Sequence, residues 1–284
     1  SQSWITRWKR KYRIRSRRIT TFVSCANFKN QDKIKKEADE FVQKIKKEME
    51  TTPLTDFANA DQSGFLKEMH SARTLAPIGS KKIIRVAQSK SSLTHSYTVM
   101  PIIFADGRLG EKLFVVLQEP GGQFPQCVFS SSTPDSIHLL VDSWTSFKDQ
   151  NAIQSSIPAQ KSLVVHNIPA GATSMIQPED VFYFRPFKNF VVFQRDNLLK
   201  IASLSHTIMG APRFSKLIQY AWHAAGYLDS HPGKFDTPVE VCFPVDIHTT
   251  KCHARLCSSC SFVMCPYCNN RYCFDHYVVQ FHKC

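Results

Sequence analysis

Near its end the chain carries metal-ligand residues in pairs: Cys257-x-x-Cys260, Cys265-x-x-Cys268, Cys273-x-x-His276 and His282-x-Cys284, preceded by Cys252-His253. Pairs two residues apart form knuckles that grip a metal, and Zn²⁺ takes four thiolate or imidazole ligands in a tetrahedron. Seven of the ten cysteines lie between Cys252 and Cys284, leaving only Cys25, Cys127 and Cys242 elsewhere. Such clustering suits metal binding better than a disulfide framework. Four successive pairs predict two zinc ions. In an interleaved order Cys257, Cys260, Cys273 and His276 hold one, while Cys265, Cys268, His282 and Cys284 hold the other, with Cys252 or His253 able to displace a member. A segment of about 35 residues with few large apolar groups cannot build its own core, so the ions are expected to supply its folding energy.

Charge is placed as unevenly as cysteine. The 284 residues include 36 Lys+Arg and 23 Asp+Glu, and residues 1–50 alone hold 15 against 6, nine of the net +13. The first 18 residues contain Arg7, Lys9, Arg10, Lys11, Arg13, Arg15, Arg17 and Arg18 and no acid. Trp4, Ile5, Trp8 and Tyr12 recur there at helical spacing, so an apolar stripe packs while the basic groups face DNA phosphates. A solvated basic helix or a nuclear localisation signal is the blander reading. From Asp32 to Glu50, the residues Ile34, Ala38, Phe41, Ile45 and Met49 step by three and four, which predicts an amphipathic helix linking this head to the next domain. No apolar run approaches the roughly 20 residues of a membrane span and no signal peptide opens the chain, which disfavours membrane and secreted classes. The first residue is Ser, inside a helical pattern, so an upstream segment is expected.

Beyond Pro53 the texture changes to strand-like segments: one ending at Asp61, then Ile83 to Gln88, Ser96 to Ala105, Glu111 to Gln118, Ile137 to Asp142 and Ser162 to Asn167. Asp106-Gly107 marks a hairpin between the third and fourth. Helical patterns follow at Val181 to Asn197 and Ser215 to Tyr227. This order predicts a mixed α/β sheet domain over residues 52–245. Asp61 and Asp142 end strands and Asp180 opens a helix. A carboxylate at the end of a buried strand is costly unless paired or metal-bound, and three of them can hold two Mg²⁺ for an in-line phosphoryl transfer. His95, His138 and His166 read as satisfied or surface histidines, and Asp106 and Asp135 as turn formers.

These words resemble the DDE/D transposases of the mariner and pogo superfamily, the branch that includes the centromere protein B family. Asn59-Ala60-Asp61-Gln62-Ser63-Gly64-Phe65 resembles the first-aspartate motif, and Gly79 to Lys82 with Thr98 to Gly107 resembles the strand pair after it. Pro169, Thr173, Ile176, Gln177-Pro178 and Asp180, followed by Phe187-Lys188, resemble the run that carries the last acid. Trp4 to Trp8 and Ile14 to Arg18 resemble the end of a second helix-turn-helix. Glu179 stands where a small apolar residue is usual, and Ser143-Trp144 follows Asp142 where many relatives have Asn-His. The resemblance implies an RNase H-like fold with Asp61, Asp142 and Asp180 catalytic, holding two Mg²⁺ or Mn²⁺. It further implies a nuclear homodimer that cuts and joins double-stranded DNA at terminal inverted repeats. Residues 1–30 are then the end of a helix-turn-helix domain, 31–51 the linker helix, 52–245 the catalytic domain and 250–284 the zinc module. The tail also resembles the cysteine-rich domains of piggyBac transposases and, more loosely, RING and PHD fingers. Two other readings are a domesticated chromatin-binding relative that no longer cuts DNA, and a RING-like protein that recruits partners.

Overall fold

The structure is a computed structural model that describes residues 2–12, 30–66, 96–117, 135–143, 161–191, 198–280, 282 and 284. The expected strand Ile83 to Gln88, His95, and Arg13, Arg15, Arg17 and Arg18 lie outside the described residues. Helix α1 (Gln2–Lys11) stacks Trp4 on Trp8 and tilts Trp8 against Tyr12. The stripe thus packs on itself, and it stays exposed. Helix α2 (Gln31–Thr51) follows the expected periodicity. Its Ala38, Val42 and Ile45 are buried in the main core.

Strand β1 (Phe57–Ala60) is followed by β2 (Ser63–Leu66), β3 (Ser96–Met100), β4 (Ile102–Phe104), β5 (Phe114–Leu117), β6 (Ser136–Val141) and β7 (Ser162–Asn167). One sheet has the order β4-β1-β6-β7, with β4 antiparallel to β1 and the other neighbours parallel. A second, antiparallel sheet has the order β2-β3-β5. The segment expected as one strand from Ser96 to Ala105 is two. Pro101 has no N–H for a ladder, and the chain passes there from one sheet to the other. The expected hairpin survives as β3 against β5, with Gly107 at φ 95° in its turn and Asp106 accepting the Arg108 N–H.

Alternation along the strands gives the first sheet two apolar faces. Ala58, Ala60, Ile137, Leu139 and Val141 line one. Phe57 and Leu140 line the other, which is covered by α2, by α4 (Phe184–Val191), which follows the short helix α3 (Thr173–Ile176), and by α6 (Ser215–Ala224). Helix α5 (Leu198–Met209) was not expected. It contributes Leu204 and Ile208 to another core, with Phe214, with Val241 of α7 (Pro238–Cys242), and with Val263, Cys265, Tyr277 and Val278 of the tail. In the tail, β8 (Val263–Met264) and β9 (Arg271–Tyr272) form a two-stranded ribbon. No described helix is long and apolar enough to cross a membrane.

Candidate active site and metal centres

Asp61 follows the last residue of β1 and Asp142 the last of β6, so parallel pairing carries both carboxylates to the same end of the sheet. Asp180 lies in a π-helical turn, Glu179–Tyr183, just before α4. Wide turns of this kind are often found at functional sites. The turn brings Asp180 within hydrogen-bonding reach of Asp61, and both feel the charge of Asp142. Burial, then the charge of Asp180, pushes the Asp61 acid from an ordinary 3.8 to about 7, against the pull of the Gln62 N–H at 2.8 Å. Burial also raises Asp180, opposed by its hydrogen bond with Asp61 and by Lys188. Asp61 and Asp180 are therefore in contact, and Asp142 lies near enough for its charge to raise both acids, so the three sequence-predicted aspartates gather unfavourable negative charge at one end of the sheet. Such a donor set fits hard divalent cations, which favour carboxylate oxygen and relieve the repulsion.

Two residues to which the sequence analysis gave no part in the site complete it. Asn59, fully buried, donates from Nδ2 to the Leu140 carbonyl at 3.0 Å and accepts the Glu179 N–H on Oδ1 at 3.0 Å. Each of its contacts is one or two residues from an aspartate, so one amide sets the spacing of all three carriers. Its only sequence signal is its place two residues before Asp61. Glu179 is fully buried beside Asp61 and Asp180, and burial, then those two charges, hold its carboxyl well above the usual range. A raised carboxyl here disfavours a further negative charge beside the two aspartates.

The tail gathers its ligands into two clusters. One holds Cys265, Cys268, His282 and Cys284, as the interleaved order predicts. Here Cys265 and Cys284 lie 3.3 Å apart, and His282 Nε2 lies 3.6 Å from Cys268 and 3.1 Å from Cys284. The other holds Cys257, Cys273 and His276 with Cys252, not Cys260. Cys252 and Cys273 approach His276 Nδ1 at 3.6 and 3.0 Å, and Cys257 lies 4.0 Å from Cys273. The correction has a local cause. Lys251 and Cys260 face each other across an antiparallel bridge and both point outward, so the next residue, Cys252, points in. The ligand atoms of each cluster lie within 4.8 Å of one another, and four thiolate and imidazole donors so close fit Zn²⁺.

Among the predicted DNA contacts, Arg7, Arg10 and Lys11 are exposed on α1 and Lys9 is half-buried. His138 and His166 are not surface residues: both contact Glu48 of α2, at 3.1 and 3.2 Å. Burial holds the His166 imidazole down to about 4. Asp106 serves its turn, paired with Arg108.

Comparison with known proteins bears on both halves of the chain. Residues 222–284 match the Tc5 transposase C-terminal domain family. In fold the chain is similar to the Mos1 strand transfer complex, at 10% identity over 83% of this chain and 71% of that one, with a TM-score of 0.53. It is likewise similar to the Mos1 transposase paired-end complex with the left transposon end, at 9% identity, 83% and 72% coverage and a TM-score of 0.51. The Mos1 mariner paired-end complex with Mn gives 10% identity, 83% and 72% coverage and 0.52. At such identity the likeness is one of fold: a mixed α/β chain built like the Mos1 transposase. The tail lies within the stretch that matches the Tc5 transposase domain. No curated protein sequence matches the chain.

Proposed function

We propose that the chain is a mariner-type DDD transposase that cleaves DNA at its element's terminal inverted repeats and transfers the strand. The observation that carries this reading is the convergence of Asp61, Asp142 and Asp180 at one end of the β1-β6 pair, in a Mos1-like fold. The sheet would then be an RNase H-like catalytic core within residues 52–245. Residues 1–30 and the linker helix 31–51 would precede it, and a zinc-bound module at 250–284 would follow. Asp61, Asp142 and Asp180 would hold two Mg²⁺ or Mn²⁺; Mos1 was crystallised in a complex with Mn. When bound, such ions supply Lewis acidity to a phosphodiester and its attacking oxygen.

The chain's own groups do the rest. Asp61, Asp142 and Asp180 would supply carboxylate oxygens to the ions, which would oppose the rise in the Asp61 and Asp180 acids. Asn59 keeps β1, β6 and the π turn at fixed spacing, and buried Glu179 lies beside Asp61 and Asp180. The chemistry is hydrolysis of one phosphodiester, followed by attack of the freed 3′ hydroxyl on a second strand. Arg7, Lys9, Arg10, Lys11, Arg13, Arg15, Arg17 and Arg18 would contact phosphates, and Lys251, Arg255, Arg271 and Lys283 give the tail a modest positive charge that favours the same polymer. On this reading the chain would pair two transposon ends as a homodimer, as in the Mos1 paired-end complex, and would work in the nucleus.

The test is Mg²⁺- or Mn²⁺-dependent cleavage of DNA bearing the element's ends, compared between wild type and Asp142→Ala. The expected result is cleavage that falls by at least about 10³-fold in the variant, a loss of roughly 4 kcal/mol of transition-state stabilisation. DNA binding without cleavage by the folded wild type would replace this reading with that of a domesticated binding protein.

A further inference from the structure

Glu48, His138 and His166 come from α2, β6 and β7, yet their polar atoms meet. In the parallel β6-β7 pair His138 faces Val164 and Leu140 faces His166, so the two histidines are diagonal neighbours on the helix-covered face. Their rings stack with centroids 5.3 Å apart, and α2 brings Glu48 over them. His138 Nδ1 lies 3.1 Å from Glu48 Oε2, His166 Nε2 lies 3.2 Å from the same oxygen, and the two nitrogens lie 3.0 Å apart.

With Glu48 ionised, hydrogen bonds alone leave one contact of this triangle unfavourable. If both nitrogens carry hydrogens toward the carboxylate, two N–H groups crowd each other at 3.0 Å. If only one does, the other nitrogen turns a lone pair on the carboxylate oxygen. A cation removes the conflict, because all three atoms then present lone pairs to it. With bonds of about 2.0–2.1 Å, ligand angles between about 90° and 109° place donor atoms roughly 2.8–3.4 Å apart, which brackets all three separations.

We propose that Glu48, His138 and His166 form a metal site for one divalent transition ion, Zn²⁺ foremost, with its outward positions left to water. Two imidazoles select against Mg²⁺, so this ion differs in class from those proposed at the aspartates. His166 is buried and Glu48 is the most exposed of the three, which gives the ion its way in. Lys44 reaches Glu48 at 4.0 Å from the solvent side and is largely exposed, free to swing away. Because α2 joins the basic head to the sheet, the ion would staple that helix to β6 and β7.

The test measures zinc per chain in the full protein after equilibration in zinc-buffered solution, with folding followed by circular dichroism. The His138→Gln/His166→Gln variant is expected to carry one ion fewer than wild type, whatever the tail holds, since the tail is common to both. Glu48→Gln keeps the size and hydrogen-bonding capacity of the side chain. It is expected to raise the free zinc needed to fill that equivalent by more than about tenfold, the lower end of what even an outer-sphere partner contributes. Equal zinc content in the folded double variant and wild type would overturn the proposal. Should the double variant fail to fold, an unchanged zinc requirement in Glu48→Gln would overturn it instead.

Discussion

The aspartate site and the cysteine-histidine tail both gather potential metal ligands, and they do so in opposite ways. The aspartates ride on a core that forms without them: Phe57, Leu140, Tyr183 and Phe187 pack beneath, and Asn59 ties their carriers together. Their mutual repulsion is a cost that this core absorbs. In the tail the ligands are themselves part of what is packed. Cys265 is a member of the core that Tyr277 and Val278 share with α5 and α7, and the two strands of its ribbon are two residues each. One region is a fold that can hold ions; the other, on the zinc-module reading, would depend on its ions to hold its shape.

The sharpest way to break this contrast is to remove a ligand from the tail. Structural zinc contributes on the order of 10–16 kcal/mol in small fingers. Cys273→Ser should therefore lose zinc and make residues 250–284 sensitive to protease, read by limited proteolysis and metal content. Cys260→Ser should change neither. If Cys273→Ser left the tail protected, the tail would be a self-sufficient fold and the comparison would fail.

The aspartate site should respond in the reverse sense. With Asp61 raised from 3.8 to about 7, the folded chain binds more protons than the unfolded chain between those values. The favourable contribution is fully present below about pH 4 and is lost as pH rises through about 7, at roughly 1.4 kcal/mol per unit of displacement. Melting temperature measured without divalent ions should thus fall between pH 5 and 8. Asp61→Asn should flatten that decline and stabilise the metal-free chain at pH 8. Added Mg²⁺ should flatten it too, by binding the ionised form.

Asn59→Ala sharpens the comparison from the side of the supporting core. It removes two buried hydrogen bonds and leaves their partners unsatisfied, a cost of about 1–3 kcal/mol. Denaturant unfolding should show that loss with the tail's zinc content intact, and DNA cleavage should drop further than stability does. The smallest expected effect lies in the head. Arg7→Ala/Arg10→Ala/Lys11→Ala should leave stability within about 0.5 kcal/mol. If all three contact phosphates, the slope of log affinity against log salt should flatten by about 3.

Local pattern made part of this architecture legible. The apolar run before Asp142, the strand end at Asp61 and the ligand pairs of the tail are short-range signals. Features set by distant partners were not legible. Asn59 gains its meaning from residues 81 and 120 positions away, and Glu48 meets His138 across 90. Spacing left Cys252 open as a replacement for a cluster member, and a single bridge register, which spacing does not encode, puts it in place of Cys260. Helix α5 escaped notice because apolar residues occupy more than one of its faces, one set serving the tail, so no single stripe stood out.

The interleaving of the tail's ligands bears on how zinc would be acquired. The loop closed between Cys257 and Cys273, 16 residues apart, contains Cys265 and Cys268 of the other cluster. Capturing the first ion shortens the search for the second, because half of its ligands are already confined. Under scarcity such chains would divide into those with both ions and those with none, and supply of the metal would set the number of competent molecules rather than the competence of each.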